Sequence, residues 1–406
     1  METVSQRFLR YVQINTKSDS KSETLPSSAI QFDLARVLVD DLKAIGISDA
    51  NVDANCYVMG SLAGNFPGAP AIGLIAHMDT SPAFSGENIN PKIITDYDGE
   101  DIVLNEESGI VMKVSDFPYL ADFKGHTLIT TDGTTLLGAD DKAGIAEIFA
   151  VLEYFVQNPD VKHGDIKVCF TPDEEVGRGT EKFDVEKFGA DFAYTLDGSF
   201  EGEIEYENFN AASANIKING VNIHPGSAKH KMKNSLLIAM ELNALLPVFD
   251  VPQHTEGYEG FFHLDELEGN VELTKMEYII RDHDMDKFTA RKEFMKKACD
   301  FINAKYGEGT AELELKDSYF NMKQHILPVM HIVDSAICAM EKIGIVPIVK
   351  AIRGGTDGAT LSYNGLPTPN IFTGGFNYHA KFEAISVQVM DNAVATVIEI
   401  IESYTK

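Results

Sequence analysis

The sequence predicts an α/β fold with a mostly parallel mixed sheet flanked by helices, interrupted by an inserted α+β unit. The first half alternates short apolar, β-rich runs with helix-like segments. From about residue 209 the strands and helices instead follow the pattern of an α+β unit, and the α/β alternation resumes near residue 325. A chain of 406 residues can bury more than one core, so two domains are expected. We place the discontinuous domain at 1–208 and 321–406, and the insert at 209–320.

The first half contains four runs rich in β-branched and aromatic residues, and two helical patterns. In the second helical pattern, Ile145, Ile148 and Leu152 recur at helical spacing and share one face. The runs are bounded by turn-forming residues, as strands in α/β folds are. The expected strands are 69–77, 126–131, 165–171 and 192–197, and the expected helices are 28–45 and 141–157.

The insert shows strands and helices in a ferredoxin-like, segregated order. The discontinuous domain then resumes with a helix, a strand and a last helix. Within the insert we expect strands at 211–220, 270–282 and 310–320 and helices at 234–249 and 285–307; after it we expect a strand at 368–373 and helices at 328–344 and 385–403.

Composition excludes several classes of protein. The net charge of −28 argues against a nucleic-acid partner, because phosphate binding needs a basic face. No segment reaches the roughly 18 apolar residues that span a membrane, and the first residues lack a signal-peptide pattern, so we expect a cytoplasmic protein without a membrane partner. The dispersed cysteines indicate buried small side chains rather than disulfides or a thiolate site; they are Cys56, Cys169, Cys299 and Cys338.

Histidines and carboxylates recur at the carboxyl ends of predicted strands, where open α/β sheets bind ligands. Singly, each has an ordinary structural explanation: a lone histidine is usually a satisfied core residue, and Asp140–Asp141 before a helix resembles an N-cap with acids in its first turn. The residues concerned are His77 and Asp79, Asp140 and Asp141, Glu174 and Glu175, Asp197, and His379.

Together, these side chains predict a metal site. Several carboxylates converging without basic neighbours would repel one another and lose hydration, and only Lys142 and Arg178 lie nearby in sequence. Divalent cations would resolve that conflict. Imidazole and carboxylate ligands without thiolate suit zinc, with manganese or cobalt as substitutes.

The motifs resemble those of the co-catalytic dizinc aminopeptidase/carboxypeptidase family. They are HMDT, TLLGADDKAGIAEI, TPDEEVGRGT, LDG, HPG and RGGTDGA, in the order of the family and along nearly the whole chain. Residues 77–93 and 125–144 are similar to one branch in particular, the tripeptide aminopeptidases. The resemblance implies a catalytic domain with an inserted lid, acting on small peptides.

The resemblance also implies two Zn²⁺ per subunit and a role for each matching residue. His77 and Asp197 would hold one zinc, Glu175 and His379 the other, and Asp140 would bridge them. Asp141 would begin the helix after a cis peptide bond. A metal-bridging hydroxide would neutralise the cluster and act as the nucleophile. Glu174 would be the general base and Asp79 would orient His77.

For substrate binding, the resemblance implies that His224 stabilises the oxyanion and that Arg281 binds a substrate carboxylate. Arg353 and Asn377 are further candidates, whereas His230 and His283 are expected at the surface. The resemblance leaves monomer and homodimer open. The alternatives are a related carboxypeptidase, dipeptidase or N-acyl amino acid deacylase, which share the metal chemistry, and a peptide-binding protein without catalysis.

Overall fold

The structure is a computed structural model that describes residues 2–406. Its residues form two compact units, each with its own sheet. The larger unit comprises the chain up to Tyr206, Gln324–Lys350 and Thr356–Lys406, and the smaller unit comprises Glu207–Lys323 and Ala351–Gly355.

The helices precede, separate and follow the strands along the chain, and several of them begin at a side-chain cap. Thr3 forms a capping box with Gln6, and Asn234, Asp284 and Ser386 each accept a hydrogen bond from a first-turn amide. The helices are α1 (Val4–Tyr11), α2 (Gln31–Ala44), α3 (Ala139–Gln157), α4 (Val185–Phe188), α5 (Ser235–Leu245), α6 (Met285–Tyr306), α7 (Lys323–Ile326), α8 (His331–Lys342), α9 (Asp357–Tyr363) and α10 (Val387–Ser403).

The strands divide among one large sheet, two four-stranded sheets and one two-stranded ribbon. In chain order they are β1 (Asn51–Val52), β2 (Val58–Leu62), β3 (Ile72–His77), β4 (Lys92–Ile94), β5 (Ile102–Asn105), β6 (Ile110–Met112), β7 (Leu128–Thr130), β8 (Ile166–Thr171), β9 (Phe192–Gly198), β10 (Glu203–Asn208), β11 (Asn210–Asn219), β12 (Phe261–Gly269), β13 (Leu273–Asp282), β14 (Ala311–Tyr319), β15 (Ile348–Ile352), β16 (Asn370–Phe372), β17 (Gly375–Phe376) and β18 (Ala384–Ser386).

The large sheet has the strand order β1-β2-β8-β3-β9-β16-β10-β15. Its centre is parallel, since β3 pairs in parallel with β8 and β9, and β9 with β16, while β2 and β10 join antiparallel. Every residue of β3 is buried, as expected for a strand covered on both faces. Helix α3 packs against β3 and β9, which brings its first turn to the carboxyl edge of this sheet. The predicted mixed α/β fold is confirmed.

The smaller unit has an antiparallel sheet in the order β12-β13-β11-β14, with α5 and α6 packed against it. Its core includes Phe262, Tyr278, Phe288 and Met295. The chain order β11-α5-β12-β13-α6-β14 and this strand order are those of a ferredoxin-like fold. Sequence reasoning missed β12, because its last five residues are all exposed and no apolar alternation marks them.

Two local expectations are wrong. The helix predicted at 234–249 ends at Leu245, because Leu246 precedes Pro247 and is extended, as residues before proline tend to be. The cysteines were expected to be buried, but Cys338 is exposed on α8, whereas Cys56, Cys169 and Cys299 are buried thiols. Among the described residues, no helix combines the length and the apolar character needed to cross a bilayer.

Candidate metal centre

Five side chains predicted as metal ligands meet at the carboxyl edge of the large sheet, all within the larger unit. His77 ends β3, Asp197 is the penultimate residue of β9, and Glu175 lies in a short 3-10 turn, Glu174–Val176, that follows β8. Asp140 lies in the first turn of α3, and His379 follows β17. The carboxyl ends of neighbouring parallel strands thus bring together residues that are far apart in sequence.

Asp140 lies between the two imidazoles. Its Oδ1 is 2.7 Å from Nε2 of His77, and its Oδ2 is 2.9 Å from Nε2 of His379. Asp197 Oδ1 lies 3.6 Å from the same nitrogen of His77, and Glu175 Oε2 lies 3.0 Å from that of His379. Each oxygen of Asp140 therefore faces one imidazole, and each imidazole also faces one further carboxylate, which is the arrangement expected around a bridging ligand between two sites.

The charges and hydrogen bonds of this cluster fit metal ions. Burial raises the pKa of Asp197 to about 6 and that of Glu175 to about 7. Burial alone would lower the pKa of His379, but hydrogen bonds to Asp140 and Glu175 raise it to about 11. Oε1 of Glu175 is buried and has no hydrogen-bond partner among residues 2–406. A buried carboxylate oxygen without a hydrogen-bond partner, beside two imidazoles, is chemically suited to bind a cation.

Asp141 is close enough to His77 and Asp197 to be considered as a ligand, but its contacts are structural. Its Oδ2 accepts from the backbone N–H of His77 at 3.1 Å, and its Oδ1 from that of Gly144 at 3.2 Å. The Asp140–Asp141 peptide bond is cis, as the resemblance implied. Asp140 and Asp141 have non-helical φ and ψ angles, and a hydrogen bond from the N–H three residues on is the one that an N-cap side chain accepts, so the N-cap interpretation of Asp141 agrees with the structure.

Asp79 contacts the ring of His77 and also the backbone of Glu174 and Glu175. Nδ1 of His77 lies 3.1 Å from the backbone oxygen of Asp79 and 3.4 Å from its Oδ1. The two carboxylate oxygens of Asp79 also accept from the backbone N–H groups of Glu174 and Glu175, at 3.0 and 3.2 Å. Asp79 thereby holds together the ends of β3 and β8. Burial is the main cause that raises the pKa of the Glu174 carboxyl well above its ordinary value.

The two basic residues near these motifs do not neutralise the acids. Lys142 is fully buried and donates from Nζ to the backbone oxygen of Ile14 at 2.7 Å. Arg178 donates to Glu181 and to backbone oxygens of the segment 22–24. Lys142 also interacts electrostatically with Glu383 and Asp79. Among the described residues, the imidazoles are the cationic partners of Asp140, Glu175 and Asp197.

The comparisons with known proteins agree with this geometry. Residues 122–403 match the model of peptidase family M20/M25/M40. The chain belongs to this family. A relative named Peptidase T from Alkaliphilus oremlandii is 60% identical over 409 residues and covers 100% of both chains. Another Peptidase T, from Geobacillus kaustophilus, is 57% identical over 400 residues and covers 98% of this chain and 97% of its own.

Among solved structures, the aminopeptidase PepT from Bacillus cereus aligns with a TM-score of 0.79 at 25% identity, covering 100% of this chain and 99% of the other. The prediction of a peptide hydrolase from this family is therefore confirmed. In an M20/M25/M40 peptidase, a cluster of histidines and carboxylates at the sheet edge is the natural candidate for the active site.

The predicted substrate-binding residues already have partners. Asn377 accepts a hydrogen bond from the Tyr119 hydroxyl and donates from Nδ2 to the backbone oxygen of Phe382 at 3.2 Å. Both ends of its amide are thus used to shape the loop that carries His379. His224 is exposed, and its Nδ1 accepts from the backbone N–H of Gly226 at 3.2 Å.

Two arginines of the smaller unit are also engaged. Arg281 lies over the ring of Tyr319 and donates to the backbone oxygen of Ile280 at 3.0 Å. Arg353 donates from Nη1 to the backbone oxygens of Gly257 and Glu259, at 2.7 and 2.9 Å, and from Nη2 to Thr255. The roles of His224, Arg281, Arg353 and Asn377 towards substrate stay predictions.

The expectation that His283 is a surface residue is wrong, whereas His230 is exposed as expected. The ring of His283 packs against Phe209 with centroids 4.1 Å apart, and its Nε2 lies 3.0 Å from the backbone oxygen of Ile352. Sequence reasoning also missed Glu383, a buried acid beside the candidate centre, because only the contacts of the folded chain distinguish it from other single glutamates.

Proposed function

We propose that this peptidase is a tripeptide aminopeptidase that uses two zinc ions per subunit. The observation that carries the proposal is the placement of Asp140, whose two oxygens face two imidazoles, each beside a further carboxylate. His77 and Asp197 would hold one ion, and Glu175 and His379 the other. The relatives named Peptidase T and the similarity to aminopeptidase PepT support an aminopeptidase.

The chemistry of the ligands supports zinc. Imidazole nitrogen and carboxylate oxygen without thiolate are typical of catalytic zinc sites, and manganese or cobalt can replace zinc in such sites. When bound, two such ions lower the pKa of a water molecule towards about 7 and polarise the scissile carbonyl.

Glu174 is the residue that would move the proton. It precedes the proposed metal ligand Glu175 in the chain and would not itself bind a metal ion. With a pKa raised by burial, its carboxyl can take a proton from the attacking water and deliver it to the leaving amine. Asp79 accepts from the backbone N–H of Glu174 and thus fixes the position of this base.

We propose that the substrates are small peptides and that the enzyme works in the cytoplasm. Free thiols support the reducing compartment, since Cys56, Cys169, Cys299 and Cys338 form no disulfide. The proposal that the substrates are tripeptides rests on the resemblance of residues 77–93 and 125–144 to tripeptide aminopeptidases.

The test is a panel of dipeptides, tripeptides and N-acetylated tripeptides, offered to the zinc-loaded protein. We expect the free-amine tripeptides to be cleaved fastest, with release of the N-terminal residue. Faster cleavage of the acetylated peptides, or release of the C-terminal residue, would instead assign a deacylase or a carboxypeptidase of the same family.

The variant Glu174→Gln tests the base. We expect kcat to fall about 10²- to 10⁴-fold, because the amide cannot accept the proton, while two zinc ions stay bound. Glu186→Gln on α4 is the matched control, since it makes the same chemical change at an exposed glutamate. Wild-type rates in Glu174→Gln would remove Glu174 from the mechanism, and an inert wild type that binds zinc would favour a peptide-binding protein.

A further inference from the structure

A buried carboxylate without an assigned role lies beside the candidate metal centre. Glu383 is 1% exposed, directly precedes β18, and follows the proposed ligand His379 by four residues. Glu383 is not one of the proposed metal ligands. Its function is therefore inferred from the groups with which it forms hydrogen bonds.

Both oxygens of Glu383 accept hydrogen bonds from the segment that leads to Asp140. Oε2 accepts from the backbone N–H groups of Leu137 and Gly138, at 2.7 and 3.0 Å, and Oε1 accepts from that of Asp140 at 3.1 Å. The left-handed conformation of Gly138, with φ 78°, lets these amides converge on one anion. Hydrogen bonds to an ionised acceptor are stronger than neutral ones, so this carboxylate holds the whole segment.

The backbone of Glu383 is fixed in the loop that carries His379. Its N–H donates to the backbone oxygen of Ala380 at 3.2 Å, and Asn377 closes the same loop through the oxygen of Phe382. Directly after Glu383, β18 pairs with β7, with Ala384 opposite Thr130. One side chain therefore connects the segment of Asp140 to the loop of His379.

We infer that Glu383 is a positioning residue of the metal centre: its carboxylate fixes Asp140 between the two metal positions before any ion binds. This inference rests on the proposed metal centre but not on the identity of the substrate. Because Asp140 would be shared by both ions, displacing it weakens both sites at once. The effect of Glu383 is then a change in metal affinity that precedes any change in catalysis.

The test replaces the carboxylate by an amide of the same shape, in Glu383→Gln. One of the two acceptor oxygens becomes an NH₂ group that faces N–H donors, so the segment before Asp140 loses part of its anchor. We expect zinc affinity, measured by competition with a chromogenic chelator, to fall about 10- to 100-fold, as for other partners that orient ligands. At saturating zinc we expect kcat to recover partly, with KM close to that of the wild type.

Glu147→Gln is the matched control, because Glu147 is an equally buried glutamate of α3 whose carboxylate oxygens have no hydrogen-bond partner among residues 2–406. We expect its zinc affinity to match the wild type. Glu383→Asp keeps the charge with a shorter reach, so its affinity should lie between those of the wild type and Glu383→Gln. If Glu383→Gln does not fold, the aspartate variant decides.

Two results separate the possible failures. Unchanged zinc affinity in Glu383→Gln, or in a folded Glu383→Asp, together with a lower melting temperature of the metal-free protein, would overturn the positioning role and leave a structural one. Failure of the wild type itself to bind two ions would instead overturn the proposed metal centre.

Discussion

A buried acid in α3 gives a prediction about stability and pH. The side chain of Glu147 is fully buried, and neither of its oxygens has a hydrogen-bond partner among residues 2–406. Burial, and secondarily the negative charge of Asp391 on α10, raise the pKa of Glu147 well above its ordinary value. We predict that Glu147→Leu, which keeps a similar volume without the carboxyl, stabilises the protein.

The size of the effect has two parts. At a pH where the acid is protonated in both states, replacing an unpaired buried polar group by an apolar one should stabilise by about 1–3 kcal/mol. Above about pH 4.3, the unfolded chain releases the proton while the native state keeps it, so the wild type loses about 1.4 kcal/mol of unfolding free energy per pH unit. This loss continues until the pH exceeds the pKa of Glu147 in the folded protein. The Glu147→Leu variant has no carboxyl at this position and therefore does not show the loss.

The assay is urea unfolding of metal-free wild type and Glu147→Leu across about pH 5 to pH 8, with the difference in unfolding free energy plotted against pH. Titrations shared by the two proteins cancel in that difference. Glu147→Gln is the control, because it removes the titration but keeps a polar group, so it should give the same slope with a smaller offset. A difference that stays constant with pH would refute the buried, neutral state of Glu147.

Two further predictions concern packing. In Gly144→Ala, the new Cβ would lie 2.0 Å from the backbone oxygen of Leu196 and 2.6 Å from Oδ1 of Asp141. We therefore expect the free energy of unfolding, measured with urea, to fall by about 1–3 kcal/mol or more. A change within about 0.5 kcal/mol would contradict the close approach. In Arg353→Lys, the forked guanidinium group that donates to residues 255–259 is lost, so we expect faster amide hydrogen exchange in this segment. Unchanged exchange together with a raised KM would instead favour the role of Arg353 in substrate binding.

The gathering of histidines and carboxylates at one edge of the sheet could be predicted because it depends on a rule of topology, whereas their roles as metal ligands come from the family resemblance and stay a proposal. His77, Glu175 and Asp197 each follow or end one of the adjacent strands β3, β8 and β9, and their parallel pairing brings those ends to one edge. A residue that ends an apolar run or follows it within about four positions is recognisable in the sequence itself. The same reasoning does not depend on the loop conformations between the strands.

The contacts that position the ligands could not be predicted in this way. Glu383 meets Leu137 across 246 positions and Asp140 across 243, through hydrogen bonds whose geometry depends on a left-handed glycine. His283 looked like a surface residue because polar neighbours surround it in sequence, yet Phe209 covers its ring. Such contacts arise from side-chain packing between distant segments, for which a local pattern carries no signal.

The hydrogen-bond partners of the acids divide them into two groups with different functions. Asp79, Asp141 and Glu383 each place both carboxylate oxygens against backbone N–H groups, so their charges are already stabilised by the fold. Glu175 keeps a buried oxygen without a hydrogen-bond partner among residues 2–406, and each oxygen of Asp140 lies against an imidazole. Only the second group therefore offers oxygens that a cation could bind. We therefore propose that the carboxylates satisfied by the backbone position the site and that the unsatisfied ones bind metal.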